Sequence, residues 1–400
     1  MRKLIAGRAA NISPSLTLSI TAKAKKMKEE GASVIGFGAG EPDFNTPAYI
    51  IEAAKKALDK GYTKYTESSG ILPLKRAICD KLKRDNGLVY DPRQIIVSNG
   101  AKHSLFNAIF ALVEEGDEVV IPSPYWLTYP ELVGLAGGVC VFVETLPEND
   151  FKMTPSQLEK AVTERTKLVI LNSPSNPTGS VYTRKELEAL GEVIVQKDLY
   201  VVSDEIYEKL IYEGEHVSIA SLSDELYRRT VVVNGLSKSY AMTGWRMGYL
   251  AAAREITAAI DAVQSHATSN INTMTQYASV EALTNPQGEQ FLRGMVNTFD
   301  ERRRYMVERI KSIEGLDCCV PRGAFYVMMN VSKLKGKAFR GRQMEGSVAI
   351  AECLLDYGVA AVPGIAFGAD DYLRLSYAIS LDDIREGLDR IEKFTREVLG

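Results

Sequence analysis

From about residue 94 to residue 252 the chain alternates short β-branched runs with longer segments of helical periodicity. No other feature restricts its fold as much. Strand candidates are Gln94–Ser98, Val119–Ile121, Val139–Val143, Leu168–Leu171, Leu199–Ser203, Thr230–Asn234 and Gly248–Ala252. Between them, segments such as Leu105, Ala108, Ile109, Leu112 and Val113, or Arg184–Lys197, repeat apolar residues every three or four positions, as an amphipathic helix does. Strands apolar at consecutive positions are buried on both faces, and connections of this length suit helical crossovers. The expected fold is α/β, with a mostly parallel seven-stranded sheet covered by helices on both faces.

The last third changes character. A helical pattern runs from about Gly288 to Ile313 and stops at Gly315. Strand-like Ala324–Met329, Val359–Val362 and Leu373–Tyr377 then alternate with helices near Ser347–Tyr357 and Asp382–Val398. At roughly 100–200 residues per domain, 400 residues accommodate two domains. The expected division is an N-terminal segment, residues 1–45, that joins a small α/β domain at 288–400, with a large domain at 46–287 between them.

Charge and composition remove several functions. With 48 Lys+Arg against 51 Asp+Glu the net charge is −3, and no basic block offers a nucleic acid its phosphate contacts. The densest basic stretches, Lys23–Lys28 and Arg302–Arg304, lie in amphipathic patterns and read as solvated helix faces. The three histidines (His103, His216, His266) and five cysteines do not fall at zinc-ligand spacing, so no metal is expected. An odd number of scattered cysteines suits reduced thiols. The N-terminal apolar run Leu4-Ile5-Ala6 is short for a signal peptide, and no stretch reaches the roughly 18 apolar residues of a membrane span. The expected compartment is the cytoplasm, without membrane or nucleic-acid partners. Gly36, Gly38 and Gly40 lack dinucleotide-fingerprint spacing, and Glu41-Pro42 follows where a helix would be needed, which disfavours a nicotinamide dehydrogenase.

Ligands of open parallel sheets bind beyond the carboxyl ends of the strands. One such end runs into Asn99-Gly100-Ala101-Lys102 and a helix N-terminus, whose free N–H groups suit a phosphate. The next ends carry Asn176-Pro177-Thr178-Gly179, then Asp204 with Tyr207 one turn on, then Ser237-Lys238 with Arg246 following. Singly, Asp204 reads as a helix cap and Lys238 as a surface lysine. Together, an anion site, an amide, a carboxylate and a lysine match the needs of pyridoxal 5′-phosphate: an amine for a Schiff base, an acid for the pyridine nitrogen and a phosphate cradle.

The segment Ser237-Lys238-Ser239-Tyr240-Ala241-Met242-Thr243-Gly244-Trp245-Arg246-Met247-Gly248-Tyr249 resembles the lysine signature of class I pyridoxal-phosphate aminotransferases. Asn176-Pro177-Thr178-Gly179 and Ser203-Asp204-Glu205-Ile206-Tyr207 are similar to two further motifs of that family, in its order and spacing. So are Ala39-Gly40-Glu41-Pro42-Asp43-Phe44, Asn99-Gly100-Ala101-Lys102, Pro124-Tyr125-Trp126, Gly323-Ala324-Phe325-Tyr326 and Arg374-Leu375-Ser376-Tyr377. Within the family, the likeness is to bacterial aspartate aminotransferases whose Asn-Gly-Ala turn ends in lysine.

The resemblance implies that Lys238 forms the internal aldimine and shuttles protons, and that Asp204 pairs with the pyridinium nitrogen. It gives Asn176 and Tyr207 to the phenolic oxygen and Trp126 to the ring face. Ser237, Arg246 and the amides at Ala101 and Lys102 take the phosphate, joined by Tyr65 from a neighbouring subunit, which implies a homodimer with shared sites. Arg374, helped by the Gly40 N–H, takes the substrate α-carboxylate. Lys102, with Ser15 and Thr17, takes a distal carboxylate. Lys102 stands where the helix dipole disfavours a cation, which an anionic partner would offset.

The implied reaction moves an amino group between L-aspartate and 2-oxoglutarate by a ping-pong cycle. Prephenate as acceptor is the alternative, ahead of a broad aromatic or alanine aminotransferase or a C–S lyase on the same fold. A non-catalytic regulator on this fold is disfavoured, because no helix-turn-helix precedes residue 30. His103, Leu127-Thr128 and Ser175 depart from the subgroup's usual Gln, Val-Ser and Asn, and bear on substrate breadth; for His103, packing is the expected role.

Overall fold

The seven apolar runs assemble into one sheet. In the computed structural model, which describes residues 4–14 and 16–400 apart from the side chains of Leu18 and Thr21, they are β1 (Ile95–Asn99), β2 (Glu118–Ser123), β3 (Val139–Glu144), β4 (Thr166–Asn172), β5 (Tyr200–Asp204), β6 (Thr230–Gly235) and β7 (Met247–Ala251). The order across the sheet is β1-β7-β6-β5-β4-β2-β3. Only β7 runs antiparallel to its neighbours; the other contacts are parallel.

Strand side chains alternate between the two faces, and each face has its own core. On β4, Leu168 and Ile170 join Leu105, Ala108, Ile109 and Ile260 on one side. Val169 and Leu171 join Leu187, Leu190 and Ile194 on the other. The first set of helices includes α2 (Ala101–Leu112), and the second includes α3 (Arg184–Gln196). The start of α3 is set by a capping box, in which Thr183 Oγ1 accepts from the Glu186 N–H while the Glu186 carboxylate accepts from the Thr183 N–H at 2.8 Å.

A second, antiparallel sheet has the order β10-β11-β9-β8, from β8 (Asp317–Cys318), β9 (Tyr326–Asn330), β10 (Val362–Pro363) and β11 (Tyr372–Ser376). Helices α4 (Gln287–Ser312), α5 (Ser347–Asp356) and α6 (Leu381–Leu399) cover it, packing Met295, Phe299, Met306, Ile350, Leu354, Leu388 and Phe394 against Val327, Met329, Leu373 and Leu375. The N-terminal part contributes α1 (Leu16–Glu29) and a short parallel ladder, Ile35 against Val359 and Gly36 against Ala360.

Two sequence expectations change here. Val359–Val362 is not one strand: Val359–Ala360 pairs with the N-terminal segment, and Val362–Pro363 pairs with β11. Adjacent residues serve different sheets, which an apolar run does not reveal. Arg302–Arg304 is not a solvated face either. Arg302 makes a two-pronged pair with Asp43 at 2.8 and 2.9 Å and lies over the Phe44 and Phe299 rings. Arg303 is buried, bonded to Asp300, Glu213 and the Pro321 carbonyl, and only Arg304 faces water.

Candidate active site

The carboxyl ends of β4, β5 and β6 lie side by side, and the N-terminus of α2 meets them across β7. Two glycines permit this approach. A Cβ on Gly248 would lie 2.2 Å from the Ala101 nitrogen, so β7 and the first turn of α2 touch backbone to backbone. Gly100 precedes the helix at φ 83° with no side-chain cap, and a Cβ there would strike Arg246 Nη2 at 2.4 Å. The opening amides of α2 therefore face a cavity of about 520 Å³ that is also lined by Ser237, Lys238, Arg246, Asp204, Tyr207, Asn176, Trp126 and Arg374.

Lys238 Nζ donates to the Gly40 carbonyl at 2.5 Å. Burial pushes its pKa down to about 8; Glu41 opposes the shift, and the Arg246 and Arg374 guanidiniums add to it. Asp204 ends β5 and is 3% exposed. Its Oδ1 accepts from the Ile206 N–H at 3.3 Å and its Oδ2 from the Tyr129 hydroxyl at 2.7 Å. Burial raises the Asp204 pKa to about 6, against these hydrogen bonds. A turn rather than a helix follows at 206–209, so Asp204 is not the helix cap its position suggested.

On the facing wall, Arg374 projects from β11 and is 2% exposed. It lies over the rings of Tyr326 and Phe367, and donates to Asn176 Oδ1 at 3.0 Å and to the Gly38 carbonyl at 3.2 Å. No carboxylate pairs with it among the described residues, and its Nε has no partner. The bond to Oδ1 turns the Asn176 amide nitrogen away from Arg374. Tyr207 bonds hydroxyl to hydroxyl with Tyr326 at 3.0 Å.

Lys102 lies at the accessible rim, its ammonium 4.8 Å from the centre of the Trp126 ring. Burial lowers its pKa, and Arg246 lowers it further. Neither Lys102 nor Arg246 has an ion pair among the described residues. Thr17, Gly40, Leu127 and Thr128 line the same cavity. Ser15 lies outside the described residues. Tyr65 does not line the cavity of its own chain and is 91% exposed. His103 turns back, its Nδ1 accepting from the Asn99 N–H at 3.2 Å, and does not line the cavity.

Several residues at the site went unassigned in the sequence: Tyr129 and Tyr326, Asn172, whose Oδ1 accepts from the Asn176 N–H at 2.8 Å, and Glu41, which accepts from Thr243 at 2.7 Å. Tyr129 had a legible signal, since it follows Trp126 by one helical turn. Behind Asp204 the fold also gathers Glu205, Glu208 and His216, with ligand-type atoms all within 4.8 Å. The Lys81 ammonium pairs with Glu208, Ser203 and Ser218 bond Glu205, and His216 Nε2 lies 3.0 Å from Glu205, so this is a hydrogen-bonded ion network.

The residues present fit pyridoxal phosphate. A buried acid, an amine of lowered pKa, uncapped helix amides and an unpaired guanidinium open onto one cavity. The sequence matches the family described as aminotransferase class I and II over residues 32–391. It is 50% identical over 391 residues to the aspartate aminotransferase of Geobacillus stearothermophilus, covering 98% of both chains. It is 46% identical over 389 residues to the aspartate/prephenate aminotransferase of Cereibacter sphaeroides, covering 96% of this chain and 97% of the relative. The solved aspartate aminotransferase of Thermus thermophilus with maleate superposes with a TM-score of 0.93 at 42% identity, covering 98% of this chain and 100% of that one. A family match over residues 32–391, relatives about half identical along nearly the whole sequence and a closely superposing solved fold make this chain a member of the class I and II aminotransferase family.

Proposed function

We propose that the protein transfers the amino group between L-aspartate and 2-oxoglutarate, giving oxaloacetate and L-glutamate. The observation that carries this reading is a pair of cations, Arg374 and Lys102, that lack carboxylate partners among the described residues and line the same cavity as Lys238 and Asp204. A dicarboxylic substrate supplies one anion to each. Maleate, named with the Thermus thermophilus relative, is itself a dicarboxylate.

When bound, pyridoxal phosphate would supply an electron sink for the substrate α-carbon. Asp204 holds a proton on the ring nitrogen, and Trp126 covers the ring face. Tyr207 and the Asn176 amide nitrogen donate to the phenolic oxygen. The α2 amides at Ala101 and Lys102, with Ser237 and Arg246, hold the phosphate, and Tyr65 reaches the phosphate of the neighbouring subunit in a homodimer. Lys238 is the amine to which the cofactor attaches. Once released it carries a proton to and from the α-carbon, and its lowered pKa keeps enough neutral amine for that task. Arg374 grips the α-carboxylate with help from the Gly40 N–H, while Lys102, with Thr17 and Ser15, takes the distal one. Residues 1–45 and 288–400 form a small domain closing over the large domain at 46–287, in the cytoplasm.

Prephenate is a second acceptor to consider, because a relative carries that name over nearly the full chain. A half-reaction screen tests both. The absorbance of the cofactor-loaded protein is followed with aspartate, glutamate, alanine and phenylalanine, and the aminated form is then offered 2-oxoglutarate or prephenate. Fast conversion by aspartate and glutamate is expected. Ammonia, pyruvate and a thiol released together from an S-alkylcysteine, whose Cβ–S bond can break, would instead indicate a C–S lyase.

A further inference from the structure

We propose that Tyr129 is a positioning residue for the cofactor, holding Asp204 ionised and oriented as the partner a pyridine nitrogen would need. The inference rests on the aminotransferase reading and adds to it a residue with no assigned role. Tyr129 is 2% exposed, and its hydroxyl donates to Asp204 Oδ2 at 2.7 Å. A carboxylate only accepts, so the phenol is fixed as donor. With Oδ1 bonded to the Ile206 N–H, both Asp204 oxygens are oriented before any ligand arrives. The same tyrosine packs edge-on against Trp126, with ring centres 5.4 Å apart and planes at 84°, and its N–H bonds the Trp126 carbonyl at 3.0 Å. One helical turn thus ties the residue that covers the ring to the residue that holds its nitrogen.

The charged and titratable groups facing Asp204 are Tyr129, Tyr207, Glu205 and Lys238. Among the described side chains Tyr129 is the direct hydrogen-bond donor to the carboxylate, and deleting its hydroxyl leaves a buried charge short of one bond. A bond of this type to an ionised acceptor accounts for roughly ten- to a hundredfold in an equilibrium constant.

The test measures pyridoxal-phosphate affinity by equilibrium dialysis from pH 5 to pH 9 in wild type and Tyr129→Phe. The variant is expected to bind roughly ten- to a hundredfold more weakly, and to lose the cofactor on acidification at a pH about one unit higher, because its Asp204 protonates earlier. A purely structural role would lower thermal stability and leave that midpoint unmoved. As a second variant of unchanged shape, 3-fluorotyrosine at position 129, a stronger donor, should move the midpoint the other way. Identical affinities and midpoints in all three proteins would overturn the inference. Failure of wild type itself to bind pyridoxal phosphate would overturn the underlying aminotransferase reading instead.

Discussion

Removing the Lys102 ammonium tests the origin of dicarboxylate preference. In Lys102→Ala, a distal carboxylate loses a cation that no other described residue neutralises. Two unit charges about 4 Å apart at an effective dielectric of about 20 attract by roughly 4 kcal/mol. The site is open to water on one side, which reduces this to about 2 kcal/mol. Lys102 also leaves the Trp126 face, where it rests 4.8 Å from the ring centre, and that contact offsets about 0.5 kcal/mol of the new one. The remaining 1.5 kcal/mol or so corresponds to roughly a tenfold loss in kcat/KM. The assay compares kcat/KM for aspartate, glutamate, alanine and phenylalanine in wild type and variant. The expected pattern is a loss of about tenfold for the two acids and less than about threefold for the others. Equal losses for all four would remove Lys102 from the distal site.

Two further outcomes follow from the geometry. Gly248→Ala forces a Cβ to 2.2 Å from the Ala101 nitrogen and 2.3 Å from the Gly100 carbonyl carbon, and backbone cannot retreat as a side chain can. It should destabilise the protein by about 2–3 kcal/mol in urea unfolding and weaken pyridoxal-phosphate binding through the displaced amides; an unchanged midpoint and affinity would contradict the cradle. Because the Lys238 pKa is lowered to about 8, the neutral amine accumulates as pH rises through 8, well below the ordinary lysine value. Stopped-flow capture of pyridoxal phosphate by the cofactor-free protein should therefore rise with pH and level off above about pH 8–9, whereas a rate still climbing tenfold per pH unit toward 10 would contradict the shift.

Much of the fold was legible because buried parallel strands announce themselves. Each of the seven runs between residues 94 and 252 became a strand within about two residues of its expected ends, and Asn176, Asp204 and Lys238 line one cavity beyond the carboxyl ends of these strands, where such sheets hold ligands. What escaped were contacts made between distant segments. Arg302 reaches Asp43 across 259 positions and Arg303 reaches Glu213 across 90, so a helix face that looks charged and solvated is buried by chain that its own sequence does not mention. Val359–Val362 reads as one apolar run, yet its two halves answer to partners at residues 35–36 and 373–374. Tyr129 was overlooked for a different reason. A tyrosine on an apolar helix reads as core, and the acid it serves lies 75 residues away.

One lysine-bearing cavity is expected to take the amino group of aspartate and deliver it intact to 2-oxoglutarate. The most direct measurement supplies ¹⁵N-labelled aspartate with unlabelled 2-oxoglutarate and pyridoxal phosphate, and follows the nitrogen by NMR. The expected result is label in glutamate in step with oxaloacetate, none in ammonium, and no transfer by Lys238→Ala. Label in free ammonium, or transfer that survives loss of Lys238, would contradict it.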